Sequence, residues 1–454
     1  MNSPSQTAPA VSRYRWIICG LLFFATTFNY LDRQVISYLK EFFCTPADQG
    51  GFGWTNTDFA NLTSAFTAFY AGMTIIAGWV IDKIGTKLGL ALSLIIWSIF
   101  GIANAFVGRL VLMHIAVRSA FGVGEAGNFP ASIKTVAEWF PKRERALATG
   151  IFNSGSNFGA MIAALFVPWC MIYFGDQKGW KMAFIITGAV GFIWLFFWFW
   201  LYDTPTKQKR LSKAEYDYIH IDEETRTDQP ADDKARKVSW GKLFGYRQTW
   251  AFFFGKFLTD GIWWFYLFWL PDYLKKQFGM TKHDVMLPTF IVYGVAIIGS
   301  VYGGSIPMTL IKKGMPVYKA RMTAMLLIAI FPLTVLTTQY FGNVAEFGKL
   351  AAVFAVAAIC VGAAAHQAWS ANLFTTVSDM FPKKAVGSVT GIGAMAGGLG
   401  GVIVQKIAGA LTDHFKATPQ TAYLFMFIIC ALSYLIAWTV MKALVPRHKP
   451  ITDL

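Results

Sequence analysis

Long apolar runs divided by short polar breaks fill most of this chain. They lie near residues 15–38, 56–82, 88–107, 110–138, 145–172, 182–203, 248–274, 285–311, 320–341, 347–378, 385–412 and 418–441. A helix of about 20 such residues crosses a ~30 Å hydrocarbon layer. The pattern predicts an all-α polytopic membrane protein with twelve transmembrane helices. One polar segment is long, 204–247. It opens Asp203-Thr204-Pro205 and carries dense mixed charge, including Asp222-Glu223-Glu224. Ser212 and Glu215 have the spacing of a capping box that opens a short surface helix. The expected organisation is an N-terminal six-helix bundle (1–203), a cytoplasmic linker (204–247) and a C-terminal six-helix bundle (248–454).

An internal repeat agrees with that division. Phe140-Pro141-Lys142 precedes Thr149-Gly150-Ile151, and Phe381-Pro382-Lys383 precedes Thr390-Gly391-Ile392. Each copy starts the fifth helix of its half. Small residues at helical spacing follow both, Gly155/Gly159 and Gly393/Gly397/Gly401, and permit close helix contact.

Composition sharpens the class. Of 454 residues 55% are hydrophobic and only 14% charged, against about 25% charged in soluble domains. The net charge of +15 would suit nucleic acid, but its placement argues otherwise. Basic residues concentrate in alternate loops: Arg13 and Arg15, Lys83 and Lys87, Lys142, Arg143 and Arg145, the linker, Lys312 to Arg321, Lys383 and Lys384, and the tail. The opposite loops hold fewer, among them Lys40, Arg109, Lys275 and Lys276. This bias predicts cytoplasmic termini and linker, and no nucleic-acid partner. The polar first 14 residues precede a run of full span length, so no removable signal peptide is expected. The five cysteines show no paired framework or metal-ligand spacing, and no metal is expected. Neither a phosphate-binding loop nor a nucleophile–base spacing points to an enzyme or to ATP.

Four charges stand inside otherwise apolar runs: Asp32, Arg33, Arg118 and Glu125. A charge at membrane depth costs roughly 3 kcal/mol and usually lines a polar cavity or finds a partner. Arg118 and Glu125, seven residues apart, share one helix face. Arg33 offers a planar fork of donors suited to a carboxylate. Adjacent Asp32 diverges from it by about 100°, which makes their mutual pairing poor. Asp32 and Glu125 are candidate proton carriers, since a desolvated carboxyl binds a proton more readily. Arg118 is a candidate partner for either when it deprotonates. For Lys134, Lys256 and Lys406 the expectation is snorkelling to the interface.

The loop after the second span, Gly78-Trp79-Val80-Ile81-Asp82-Lys83-Ile84-Gly85-Thr86-Lys87, resembles the G-x-x-x-D-[RK]-x-G-x-[RK] loop of the major facilitator superfamily. Duplicated six-helix halves belong to the same class of secondary transporters. The resemblance implies a gating role for Gly78, Asp82, Lys83 and Gly85, with the aspartate near a helix N-terminus. The matching loop of the second half, Gly304 to Arg321, lacks the aspartate. Asn29 to Arg33, Arg118 to Pro130 and Trp139-Phe140-Pro141 resemble the anion:cation symporter branch of that superfamily. Trp263 to Tyr273 and His366-Gln367-Ala368-Trp369-Ser370-Ala371-Asn372 resemble its bacterial hexuronate transporters.

The resemblance implies import of glucuronate or galacturonate by proton symport with alternating access. Coupling would run through Asp32, Glu125 and Arg118, and the proton gradient would supply the drive without a cofactor. Substrate contacts would fall to Arg33, Tyr30, Tyr70, Asn153, Ser156, Asn157, Trp264, His366, Gln367, Ser370 and Asn372. His366 reads equally as an interhelix hydrogen-bonder, and the Trp263–Tyr266 cluster as packing. Other organic anions, such as galactonate, glucarate or an aromatic carboxylate, are the alternative substrates, and a transporter-like sensor is the alternative class. A monomer in a bacterial inner membrane, in contact with lipid, completes the expectation.

Overall fold

A computed structural model describes residues 13–224, 240–447 and 449–451. The polar start (1–12) and the middle of the expected linker (225–239) lie outside the described residues. So do the side chains of Asp222, Glu223, Glu224, Lys142, Arg143, Lys383 and Lys384. The described chain is helical, with no strand among its described residues. The twelve expected spans correspond to α1 (Tyr14–Cys44), α2 (Asn56–Ile84), α3 (Thr86–Phe106), α4, α5 (Lys142–Phe174), α6 (Asp176–Leu201), α7 (Arg247–Phe278), α8 (Met286–Lys312), α9 (Val317–Phe341), α10 (Leu350–Met380), α11 (Lys383–His414) and α12 (Pro419–Leu444). Helix α4 comes in two pieces, Val111–Glu125 and Asn128–Trp139, interrupted directly after Glu125.

Nine of these helices are long and apolar enough to cross a membrane among the described residues. The other three, α1, α4 and α7, are those that carry most of the buried charge. Helix packing repeats when the halves are exchanged. Helix α1 packs on α5 and α6 as α7 packs on α11 and α12, and α2 packs on α4 as α8 packs on α10. Between the halves, α2 lies against α11 and α5 against α8.

Local sequence explains several boundaries. Thr55 and Asp58 form a reciprocal capping box at the start of α2. Gly85, at φ +83°, takes the left-handed turn between α2 and α3. The repeated Phe-Pro pair acts alike in both halves. Phe140 and Phe381 are extended, and Pro141 and Pro382 open α5 and α11 with nearly identical backbone angles. On α5, a Cβ at Gly155 would come within 2.5 Å of the Phe23 carbonyl oxygen, so that contact with α1 requires glycine.

The linker helix (Lys213–Glu224) is less superficial than its spacing suggested. The Ser212 hydroxyl accepts from the Glu215 N–H at 3.2 Å, as a cap should. Glu215 itself is buried, and its carboxylate accepts the backbone N–H groups of Tyr14 and Arg15, both at 3.1 Å. An anion at the start of α1 satisfies orphan donors and complements the helix dipole.

Candidate functional site

The central charges meet where α1, α2, α4 and α7 converge. Arg33 donates through Nε to Glu125 Oε2 at 2.8 Å, and its Nη2 lies 2.8 Å from the same oxygen. Both residues are 1% exposed. Asn29, one turn earlier on α1, accepts from Nη2 at 3.3 Å. Four rings surround the guanidinium, with centroids at 4.3 Å (Tyr30), 4.6 Å (Tyr70), 5.2 Å (Trp264) and 5.5 Å (Phe66). Ring faces attract a cation and exclude water from it. Trp264 comes from α7, so both halves build the cage.

Close backbone approach brings α4 into reach. A Cβ at Gly122 would come within 2.8 Å of the Phe66 carbonyl oxygen, and one at Gly124 within 2.5 Å of the Trp97 amide nitrogen. The glycines thus let α4 close on α2 and α3 and carry Glu125 to Arg33.

The remaining charges are incompletely paired. Arg118 donates through Nη2 to the Arg33 carbonyl oxygen at 3.2 Å, and its Nη1 has no hydrogen-bond partner. Two helical turns, roughly 10 Å of rise, separate it from Glu125, which explains why the two do not pair. Asp32 points away from Arg33 toward Thr187 and Trp97, and neither of its oxygens reaches a hydrogen bond. Glu125 Oε1 is likewise unpartnered.

The polar residues on α5 and α10 divide between roles. Ser156 donates to the Asn153 carbonyl at 2.7 Å, while the buried Asn157 leaves its Oδ1 unpartnered. His366 Nδ1 lies 2.8 Å from the Tyr434 hydroxyl, and its ring stacks on Trp263 with centroids 5.1 Å apart. Asn372 donates to the carbonyls of Gly303 and Ala368 at 2.9 and 2.8 Å, joining α10 to α8. Gln367 and Ser370 are half-buried on α10. The structure therefore gathers Tyr30, Tyr70, Trp264, Glu125 and Arg118 about Arg33. His366 and Asn372 form helix-to-helix contacts.

The Major Facilitator Superfamily model matches residues 22–405. The chain belongs to this superfamily. It is similar to a hexuronate transporter of Escherichia coli K12, at 30% identity over 429 residues and 94% of each chain. A galacturonate transporter of Dickeya chrysanthemi is 32% identical over 65% of this chain and 81% of its own. A D-galactonate transporter of Escherichia coli O6:H1 is 28% identical over 93% of this chain and 95% of its own. Among solved structures, a bacterial homologue of the human lysosomal transporter Spinster shares the fold at TM-score 0.73 and 16% identity, over 96% of this chain and 99% of that one. A D-xylose–proton symporter does so at TM-score 0.70 and 15% identity, over 97% and 100%. The protein is thus a multi-pass membrane transporter of the superfamily type.

The superfamily loop has a local partner. Asp82, in the last turn of α2, accepts from Lys134 Nζ of α4 at 2.9 Å, and Lys83 lies over the Trp79 ring at 3.7 Å. Lys134 thus reaches across helices to an exposed carboxylate at the end of α2. Lys256 departs from the expected snorkelling, forming an ion pair with Asp260 at 2.5 Å. Lys406 donates to Asn61 of the other half.

A second charged cluster escaped the sequence reading. Helices α1 and α7 run on to Cys44 and Phe278, past the expected ends at 38 and 274. The extension buries Lys40, which pairs with Asp272 at 2.6 Å and donates to Asn56 at 2.7 Å. Lys276 pairs with Asp272 at 3.1 Å, and the Tyr423 hydroxyl donates to it. Asp413 accepts the N–H groups of Asn56 and Thr57 at 2.9 and 2.6 Å. Lys275 pairs with Glu41 at 2.6 Å, and Lys282 with Asp176. These contacts tie the two halves together at one end. Charged residues close to a span's end were their only sequence signal.

Proposed function

We propose that this chain imports hexuronates by proton symport, with Arg33 as the clamp for the substrate carboxylate. The observation that carries the reading is the buried Arg33–Glu125 pair inside a cage built from both halves. A carboxylate of the protein already occupies the guanidinium. A substrate carboxylate can replace it only if Glu125 gives up its charge, since an ionised Glu125 displaced from Arg33 would be left buried without its ion partner. Protonation of Glu125 provides that exchange without leaving Arg33 or Glu125 charged and unpaired. The incoming monoanion and the proton together add no net charge.

The roles of the other groups follow from their positions. Arg118 holds the Arg33 carbonyl and supplies a positive field to both carboxyls. Asp32, buried without a hydrogen-bond partner, is a second proton carrier in this scheme. Tyr30, Tyr70 and Trp264 present ring faces and hydroxyls to a sugar, with Asn153, Ser156, Asn157, Gln367 and Ser370 as further donors. The halves, 1–203 and 248–454, would rock about this site, and their exchange-symmetric packing supports that motion. The Lys40–Asp272 end would be the outer one in a bacterial inner membrane, with both termini cytoplasmic, in keeping with the basic residues of the opposite loops.

A second reading keeps the mechanism and changes the sugar acid. The similarity to a D-galactonate transporter and to a probable galactarate/D-glucarate transporter favours it. Radiolabelled glucuronate uptake into proteoliposomes, with and without an inward proton gradient, separates the two. Gradient-driven accumulation is expected. Absence of glucuronate uptake, with accumulation of galactonate, would reassign the substrate.

A further inference from the structure

We infer that Lys256 and Asp260 on α7 form a second, proton-gated carboxylate subsite, which lets the transporter accept dicarboxylic sugar acids as well as uronates. The inference rests on the reading of Arg33 as the clamp for a first carboxylate. Lys256 is 6% exposed, and its only ion partner among the described residues is Asp260, one turn along the same helix. A pair made within one helix joins no two elements, so architecture does not account for two charges in an apolar core. Charges at membrane depth are costly and usually serve the transported species.

The pair lies along the same path as the Arg33 cage. Asp260 precedes Trp264 by four residues, about 6 Å of helix rise, and the Trp264 ring covers the Arg33 guanidinium. Phe374 of α10 covers the Lys256 ammonium, its centroid at 4.6 Å. Phe374 also continues the partly open α10 face that carries Gln367 and Ser370. Lys256 precedes Trp264 by eight residues, about 12 Å of helix rise, and its ammonium reaches forward to Asp260, which leaves a span that a six-carbon diacid can bridge.

Asp260 decides whether the subsite is open. Lys256, as an ammonium, has no lone pair to accept a proton, so the proton goes to Asp260, whose side chain is 20% exposed. Ionised, Asp260 occupies the ammonium. Protonated, it releases Lys256 to a ligand carboxylate. The other titratable groups facing the pair are His366 of α10 and Tyr434 of α12, which are engaged with one another. Helix α11 presents Gly397 there, whose missing side chain makes room for Asp260.

The test is competition of glucarate with labelled glucuronate on the full-length transporter in proteoliposomes, for wild type, Lys256→Gln and Asp260→Asn. Wild type should bind glucarate more tightly as pH falls. Lys256→Gln should weaken glucarate tenfold or more and leave the glucuronate KM within twofold. Asp260→Asn should bind glucarate with only the shallower pH dependence that glucuronate shows in wild type, the part that belongs to Glu125. Equal weakening of both ligands in Lys256→Gln, or unchanged glucarate binding, overturns the subsite. Wild type that transports glucuronate and ignores glucarate overturns it too, leaving the Arg33 reading intact. Wild type that binds neither removes both.

Discussion

Two of the buried charge clusters on α1, at Arg33 and at Lys40, are built differently. At Arg33 the polar atoms are under-satisfied: both Asp32 oxygens, Glu125 Oε1 and Arg118 Nη1 lack hydrogen-bond partners. At Lys40, two turns on, the charges are closely matched. Asp272 receives Lys40, Lys276 and Tyr423, while Asn56 links Lys40 to Asp413. An unpartnered buried polar atom costs about 1–3 kcal/mol. A fold that carries several at one place and satisfies nearly all of them at another is using the two places for different things. In the proposed scheme the first takes a ligand or a proton, and the second ties the two halves at one end.

Breaking the first cluster should have the largest effect. Arg33→Ala is expected to lower glucuronate affinity in counterflow about 100-fold or more, in line with 2–5 kcal/mol for loss of a buried charged partner. Arg33→Lys should not restore it, because an ammonium lacks the planar fork. Wild-type affinity in either variant would remove the clamp.

Breaking the second should change conformation before affinity. With Glu41→Cys and Lys275→Cys as a reporter pair spanning the halves, Lys40→Met should lower the cross-linking yield severalfold. Retained yield would mean that Lys40 does not hold the halves together. Gly159→Ala probes the scaffold beneath the first cluster. Its Cβ would approach Tyr30 Cβ at 2.8 Å and the Leu31 nitrogen at 2.9 Å. Overpacking of this kind costs about 1–3 kcal/mol, so the melting temperature should drop by several degrees. The smallest effect belongs to Tyr70→Phe, which keeps the ring over Arg33 and removes one hydroxyl. A change in KM of about fivefold or less is expected.

What the sequence made legible follows the same contrast. Arg33 and Glu125 interrupt apolar runs, so their cost in a membrane announced them. The lengths of the apolar runs placed the spans, and the repeated Phe-Pro pair correctly marked the start of each fifth helix. Which arginine Glu125 meets was not legible, because that depends on how closely the glycines of α4 let it approach α1 and α2. Lys40, Lys275 and Lys276 looked like loop lysines, since a charge near a span's end is normally solvated. Only the partner on a distant helix, Asp272, offsets the cost of burying Lys40. His366 carried a transport-like motif, yet its hydrogen bond and stacking partners come from α12 and α7, which no local spacing reveals.

The central claim is that Glu125 and a substrate carboxylate compete for Arg33, with a proton as arbiter. The measurement that tests it most directly is glucuronate affinity in detergent as a function of pH, for wild type and Glu125→Gln. Wild-type binding should tighten as pH falls, and Glu125→Gln should bind tightly with that dependence abolished or strongly reduced. An unchanged pH dependence in Glu125→Gln, or none in the wild type, would contradict the account.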